Sequence, residues 1–114
     1  MSFPAKEKLK ELTQLPLGWD GYQGVPVNIE NASLALRVLN TVNGPTTPQI
    51  VPGPDGDLQI EWHTLKGDIE LYVRAPNNVH AWRALANGEP DGEELELTDD
   101  FSAIAAWVRE IAVK

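Results

Sequence analysis

The chain contains no cysteine, and this absence excludes several kinds of chemistry. Disulfide bonds, thiolate nucleophiles and zinc sites with cysteine ligands all require the missing thiol group. Small secreted domains commonly depend on disulfide bonds, so the composition favours the reducing cytoplasm. No apolar run approaches the ~18 residues that cross a bilayer, and no apolar segment follows the lysine-containing stretch from Met1 to Glu11. We therefore expect a cytoplasmic protein with neither a signal peptide nor a membrane partner.

Basic residues are scarce. The chain has 9 Lys and Arg residues against 17 Asp and Glu residues, which gives a formal net charge of -8 at pH 7. Phosphate groups are bound largely through neutralisation by lysine and arginine, so direct binding to nucleic acid is not expected. The 114 residues, 42% of them hydrophobic, suit one domain that spans positions 1–114.

Sequence motifs of catalysis are also missing. No serine lies in a G-x-S-x-G pattern, and neither G-x-G-x-x-G nor a P-loop occurs. His63 and His80 lie on separate predicted strands, without the further ligands that a zinc site needs in register. A metal site of both histidines with Glu61 or Glu70 is conceivable, but we expect each histidine to be a strand-surface residue beside a carboxylate. The sequence predicts no catalytic residues, no metal and no cofactor.

The spacing of apolar residues predicts three helices. The first lies near residues 5–12, the second runs from about Asn28 to Val42 and ends at Asn43-Gly44-Pro45, and the third runs from about Asp100 to Val113 after a cap at Thr98 or Asp99. The apolar residues expected to face the core are Ala5, Leu9 and Leu12, then Ile29, Ala32, Leu36 and Leu39 with Leu34, Ala35 and Val38 beside them, and finally Phe101, Ile104, Val108 and Ile111 with Ala105 and Trp107.

Between residues 46 and 97 the pattern changes to alternation of apolar and polar residues, which is typical of strands. The predicted strands are 49–51, 58–63, 68–74, 79–86 and 93–97, of which 79–86 also fits a helix. We therefore predict an α+β domain. It has two N-terminal helices, an antiparallel sheet of four to five strands arranged as a meander, and a C-terminal helix that packs on one face of the sheet.

The second and third strands form a predicted hairpin around a two-residue turn at Lys66-Gly67. This turn sets a register that keeps the apolar side chains on one face. The expected pairs are Trp62 with Leu71 and Ile60 with Val73 on the buried face, and His63 with Glu70, Glu61 with Tyr72 and Gln59 with Arg74 on the other.

Acidic residues concentrate near the end of the chain. Positions 89–100 contain no basic residue and most of the net charge: Glu89, Asp91, Glu93, Glu94, Glu96, Asp99 and Asp100. At contact range such a cluster attracts a basic protein surface and speeds association. The alternative is a solvated loop that only improves solubility.

Two aromatic residues extend this candidate surface. Tyr72 and Trp82 are expected as an exposed pair on the polar face of the sheet. Their expected neighbours are Glu61, Glu70, His63 and Arg74. An uncovered sheet face of this composition is a reasonable docking surface for a protein. The alternative is that this face simply contacts water.

The segment Trp19-Asp20-Gly21-Tyr22 lies in a loop rich in glycine and proline. We interpret it as a structural loop in which Asp20 accepts hydrogen bonds from nearby backbone amides, Trp19 closes one end of the core and the aromatic side chains pin the chain. Since Trp and Tyr are also common anchors in interfaces, a binding role is the alternative.

Two motifs resemble a loose group of small bacterial and mobile-element proteins. They are Trp19-Asp20-Gly21-Tyr22 followed by Pro26, and Asp55-Gly56 followed by Ile60-Glu61-Trp62. The resemblance covers about residues 9–75, with Gln23 where the group tends to have glycine, and the C-terminal third has no counterpart. It implies a shared organisation and a prokaryotic or phage origin, and no particular activity.

The sequence therefore predicts a small, acidic, non-enzymatic protein that binds a basic protein surface of the kind that normally holds nucleic acid. An inhibitor from phage or a mobile element, similar to an anti-CRISPR protein or an antitoxin, fits this description, and a homodimer is an open alternative. The competing hypothesis is a small hydrolase or ligand-binding domain that uses the Trp19–Tyr22 loop and His63.

Overall fold

Alternation of apolar and polar residues through the middle of the chain produces a five-stranded antiparallel sheet. The computed structural model describes residues 5–42, 47–88 and 92–112. The elements, in chain order, are α1 (Ala5–Thr13), α2 (Ile29–Thr41), β1 (Gln49–Pro52), β2 (Leu58–Thr64), β3 (Gly67–Ala75), β4 (Asn78–Leu85), β5 (Glu93–Leu97) and α3 (Ser102–Ile111). The strands lie in the order β1-β2-β3-β4-β5, so the predicted α+β meander is confirmed.

One face of the sheet forms the core with the helices. We call it the inner face; eight of its side chains on β2, β3 and β4 are at most 1% exposed: Leu58, Ile60, Trp62, Ile69, Leu71, Val73, Val79 and Ala81. Helix α2 packs on β2 and β3, α3 packs on β3 and β4, and α1 packs on α2 and β1. Burial of one large apolar side chain contributes roughly 1.5–3 kcal/mol, so this layer dominates the stability.

Helices α1 and α2 begin close to where the sequence predicts. In α1 the buried side chains are Ala5, Leu9 and Leu12, as expected. Helix α2 is capped by Asn28, whose Oδ1 accepts a hydrogen bond from the Glu30 amide at 2.8 Å. The expected end at Asn43-Gly44-Pro45 lies outside the described residues.

The apolar stripe of α2 differs from the expected one. Ile29 is 72% exposed, and Leu36 and Leu39 are only partly buried. The buried residues instead are Asn31, Ala32, Leu34, Ala35 and Val38. The helix has apolar residues around more than half of its circumference, and packing against the sheet selects the side that periodicity alone ranked second.

Helix α3 begins later than predicted, at Ser102 instead of near Asp100. The expected caps, Thr98 and Asp99, do not cap it; Asp100 Oδ1 accepts a hydrogen bond from the Ser102 amide at 3.0 Å. Phe101 is 4% exposed, so its side chain belongs to the core although the residue precedes the helix. The apolar face of the helix is as predicted, with Ile104, Trp107, Val108 and Ile111 buried.

The β2–β3 hairpin has a different register from the predicted one. Thr64 pairs with Gly67, so the turn residues are Leu65 and Lys66 instead of Lys66 and Gly67. The pairs are consequently Trp62 with Ile69, Ile60 with Leu71, Leu58 with Val73, His63 with Asp68, Glu61 with Glu70 and Gln59 with Tyr72. The register is displaced by two residues, and because side chains alternate with a period of two, every residue stays on its predicted face.

Residues 79–86, which also fit a helix in sequence, lie almost entirely in β4. The turn that precedes β4 includes Asn77 at φ 62, a left-handed conformation that asparagine tolerates. The flanking strands β3 and β5 both pair with this segment, and this tertiary pairing determines its conformation.

Candidate functional site

Polar side chains from all five strands share the sheet face opposite the helices, which we call the outer face. Its residues form cross-strand rows: Gln49, Glu61, Glu70, Trp82 and Glu94; Val51, Gln59, Tyr72, His80 and Glu96; and His63, Asp68 and Ala84, with Arg74 at the end of β3. Among the described residues, the buried side chains of the three helices cluster with those of the inner face. The outer face carries five carboxylates, one guanidinium and two histidine imidazoles, so its acidic groups outnumber its basic groups.

His63 lies between two of these carboxylates. Its Nδ1 is 2.8 Å from Asp68 Oδ1 on β3, and its Nε2 is 2.9 Å from Glu61 Oε1 on β2. A protonated imidazole donates a hydrogen bond from each nitrogen, which satisfies both acceptors. The hydrogen bonds to Glu61 and to Asp68 therefore raise the pKa of His63 above its ordinary value. They also offset the direct pairing of Glu61 with Glu70, in which two like charges face each other.

His80 has the same arrangement at the other side of the face. Its Nδ1 is 2.6 Å from Glu96 Oε1 and its Nε2 is 2.8 Å from Glu94 Oε1. Hydrogen bonding to Glu96 raises the pKa of His80; burial lowers it by a smaller amount, and the hydrogen bond to Glu94 adds a further, still smaller increase. Both carboxylates belong to β5, so this histidine ties the last strand to β4.

The centre of the outer face is aromatic. Tyr72 and Trp82 lie on neighbouring strands, but both are partly buried instead of exposed as the sequence predicts. The Tyr72 hydroxyl donates to Asp57 Oδ2 at 2.5 Å, and the Arg74 guanidinium lies 5.3 Å from the centroid of its ring. The hydrogen bond to Asp57 raises the pKa of Tyr72. Contacts on two sides hold this ring in a defined position.

The acidic residues that the sequence groups together are divided between two faces of β5. Glu94 and Glu96 point to the outer face, whereas Glu93 lies opposite Arg83 on the inner side. Asp99 and Asp100 are exposed in the connection to α3. The remaining two, Glu89 and Asp91, lie outside the described residues.

Arg83 is the residue that sequence reasoning missed. Its Nη2 is 2.8 Å from Glu93 and its Nη1 is 2.9 Å from Glu110 of α3, and its guanidinium lies 4.7 Å from the Trp107 ring. Burial lowers the pKa of Arg83, but the hydrogen bonds and the negative charges of Glu93 and Glu110 together raise it by more. The sequence feature that points to Arg83 is the alternation of residues in β4, which puts it on the same side as the buried Val79 and Ala81.

The Trp19–Tyr22 loop is held together from within. Asp20 Oδ1 accepts hydrogen bonds from the amides of Tyr22 at 3.0 Å and Gly24 at 2.9 Å, which lower the pKa of Asp20. The Trp19 indole donates to the Val25 carbonyl at 2.7 Å. Asp20 thus has its expected role, but Trp19 is only partly buried and Tyr22 is 86% exposed, so Tyr22 does not pin the loop.

The two motifs of the resemblance meet in space. The chain that leaves the loop docks on the turn between β1 and β2, through hydrogen bonds from the Val25 amide to the Pro54 carbonyl and from the Asn28 amide to the Gly56 carbonyl, both at 2.9 Å. His63 lies near the opposite end of β2, roughly 17 Å further along at 3.3 Å per residue. The structure therefore does not bring the loop and His63 together.

The chain matches no protein-family model, no curated protein and no solved structure. Among the described residues, no group of three or more His, Asp or Glu side chains is arranged to hold a metal ion. Within the same residues, none of the helices has the length and apolar character needed to cross a bilayer.

Proposed function

We propose that the protein is a small non-enzymatic binding module whose outer face engages a basic protein surface. The observation that carries this proposal is the sheet face with five carboxylates, one guanidinium, two histidines that bridge four of the carboxylates, and two aromatic rings at its centre. A sheet keeps neighbouring strands about 4.8 Å apart, so these groups form a fixed array.

A fixed array of carboxylates complements clustered lysine and arginine side chains. Arginine and lysine form charge-assisted hydrogen bonds with carboxylates as they do with phosphates. A groove that normally holds nucleic acid is one surface of this kind. The net charge of -8 adds long-range attraction to such a partner, an effect that falls with ionic strength.

The aromatic centre supports a protein partner over a simple ion. Tyrosine and tryptophan are enriched among the residues that dominate binding energy, especially where neighbouring polar groups exclude water. Tyr72 is held by Asp57 and Arg74 before any partner arrives, which lowers the entropy lost on binding.

The biological role we infer is that of an inhibitor in the cytoplasm, similar to an anti-CRISPR protein or an antitoxin and encoded by a phage or mobile element. Such a protein acts by occupying a basic surface, so it needs neither a catalytic group nor a cofactor. Direct contact with nucleic acid is not part of the proposal, because the outer face would repel phosphates.

The test compares neutralisation of the outer face with an equal change elsewhere. In one variant Glu61→Gln, Asp68→Asn and Glu70→Gln remove three charges from the outer face. In the matched control Glu7→Gln, Glu11→Gln and Glu30→Gln remove three charges from exposed positions of α1 and α2. Proteins retained from a bacterial lysate by the unmodified chain are identified, and their affinities for all three chains are measured at several salt concentrations.

We expect the outer-face variant to lose roughly tenfold or more in affinity and the control to change less than about threefold. The salt dependence should be steeper for the unmodified chain than for the outer-face variant. Equal losses in the two variants, or an affinity that does not respond to salt, would contradict the proposal.

A further inference from the structure

Strand β5 lies at the edge of the sheet. It pairs with β4 along one side, and no other described strand pairs with its second side. Its five residues contain no proline and follow β4 without a shift in register. Residues 93–96 are exposed, and Leu95 is 36% exposed although it points to the inner side. An edge of this kind has backbone N–H and C=O groups that can pair with another strand.

The side chains of β5 are sorted by face. Glu94 and Glu96 point to the outer face. Leu95 and Leu97 point to the inner side, as does Glu93, which forms an ion pair with Arg83. Side chains directly opposite each other on neighbouring antiparallel strands are about 4.5–5.5 Å apart and interact. An added strand therefore meets the carboxylates of Glu94 and Glu96 on one of its faces. On the other face it meets the two leucines and, at the start of β5, the Glu93–Arg83 ion pair.

A second copy of the chain is a poor occupant of this edge. When two antiparallel strands pair, opposite residues belong to the same face of the sheet. Two copies of β5 would place the carboxylates of Glu94 and Glu96 against each other, and like charges in that position are destabilising. Pairing between two copies of β5 is therefore disfavoured, and pairing with a strand that carries basic side chains is favoured.

The opposite edge of the sheet lacks these features. Strand β1 has four residues, contains no charged side chain and ends at Pro52, which has no backbone N–H to donate. Between the two edges, only β5 combines free pairing capacity with charged side chains that specify a partner.

We propose that β5 binds an extended segment of the partner protein in which lysine or arginine alternates with apolar residues. The segment adds a sixth strand to the sheet, with its basic side chains opposite Glu94 and Glu96 and its apolar side chains beside Leu95 and Leu97. This proposal rests on the proposed function, because it names the part of the basic partner that the protein recognises. His80 holds both carboxylates at hydrogen-bond distance before binding, and a carboxylate can accept further hydrogen bonds from an incoming cation.

The experiment uses two synthetic peptides of identical composition. One, roughly seven residues long, alternates lysine and valine along its length; the other has all lysines in one block and all valines in another. Affinity for the unmodified chain is measured by fluorescence anisotropy, and amide hydrogen exchange is followed at residues 93–97. Addition of a strand forms backbone hydrogen bonds and slows exchange there, whereas contact through charge alone does not.

We expect the alternating peptide to bind at least about tenfold more tightly than the block peptide and to slow amide exchange within β5. The double variant Glu94→Lys and Glu96→Lys should reject this peptide and accept one in which glutamate replaces lysine. Its circular dichroism spectrum should match that of the unmodified chain, which shows that the fold is retained.

Equal binding of the two lysine peptides, unchanged exchange in β5, or no binding of either peptide would overturn strand addition. None of these results bears on the outer-face variants, which test the proposed function separately. If those variants lose affinity while β5 exchange stays unchanged, the acidic face binds its partner by side chains alone.

Discussion

The two faces of the same sheet are built on different interactions. On the inner face, eight side chains of β2, β3 and β4 are at most 1% exposed and are held by apolar packing. On the outer face, the side chains are partly exposed and are held by hydrogen bonds between histidine and carboxylate and between Tyr72 and Asp57. Adjacent residues of one strand therefore experience different environments.

This difference separates stability from recognition. Substitutions on the inner face remove buried contacts that the rest of the molecule cannot replace. Substitutions on the outer face change charge and hydrogen bonding at positions where water can substitute for the lost group. The chemistry of the outer face can thus vary with little cost to the fold, which is the property a binding surface needs.

The largest expected difference in stability is between substitutions at two neighbouring positions on opposite faces of β2. We expect Ile60→Ala to lower the free energy of unfolding by about 2–5 kcal/mol, because it leaves a cavity beneath the helices. The adjacent Gln59→Ala should cost less than about 1 kcal/mol. Urea denaturation followed by circular dichroism gives both values, and similar losses in the two variants would show that the faces do not differ as described.

We expect a smaller difference in stability between alanine variants of Arg83 and Arg74, two arginines that lie over aromatic rings on opposite faces of the sheet. Arg83 is largely buried and joins β4 to β5 and α3, whereas Arg74 is exposed. Since Glu93 and Glu110 are half-exposed and regain water when Arg83 is removed, Arg83→Ala should cost about 1–3 kcal/mol. Arg74→Ala should change stability by less than about 0.5 kcal/mol. Thermal unfolding of both variants measures the two losses of stability. A larger loss for Arg74→Ala than for Arg83→Ala would contradict this prediction.

The smallest expected effect is a pH dependence that belongs to the outer face. His63 and His80 have raised pKa values, so the stability they contribute is complete below pH 6.5 and is lost as the pH rises through their pKa values in the folded protein. We expect the melting temperature to fall over this range above pH 6.5 in the unmodified chain. In the double variant His63→Gln and His80→Gln the melting temperature should depend less on pH. An equal pH dependence in both chains would show that other groups cause it.

Much of this architecture follows from local sequence patterns. The strands, the faces of β2 and β3, and the buried residues of α1 and α3 are predictable because alternation and helical spacing act over a few residues. The hairpin illustrates the limit: both turn positions preserve the faces, so the pattern could not distinguish registers that differ by two residues.

The candidate site depended on contacts between segments distant in sequence. The acidic residues of β5 looked like one cluster, but pairing with β4 turns Glu93 toward Arg83 and presents Glu94 and Glu96 to His80. Likewise, the docking of the Trp19–Tyr22 loop on the Gly56 turn joins segments that no local pattern relates. The fold class was therefore predictable, and the arrangement of its charges was not.

The strand order has a consequence for how the chain folds. Each strand of the sheet pairs with the strands that precede and follow it in sequence. Every pairing therefore closes a short loop and loses little chain entropy, so the sheet can grow one hairpin at a time. Proteins dominated by such near-neighbour contacts have low contact order and generally fold faster than those with long-range strand pairing. In this sequential assembly β5 joins the sheet through β4 alone.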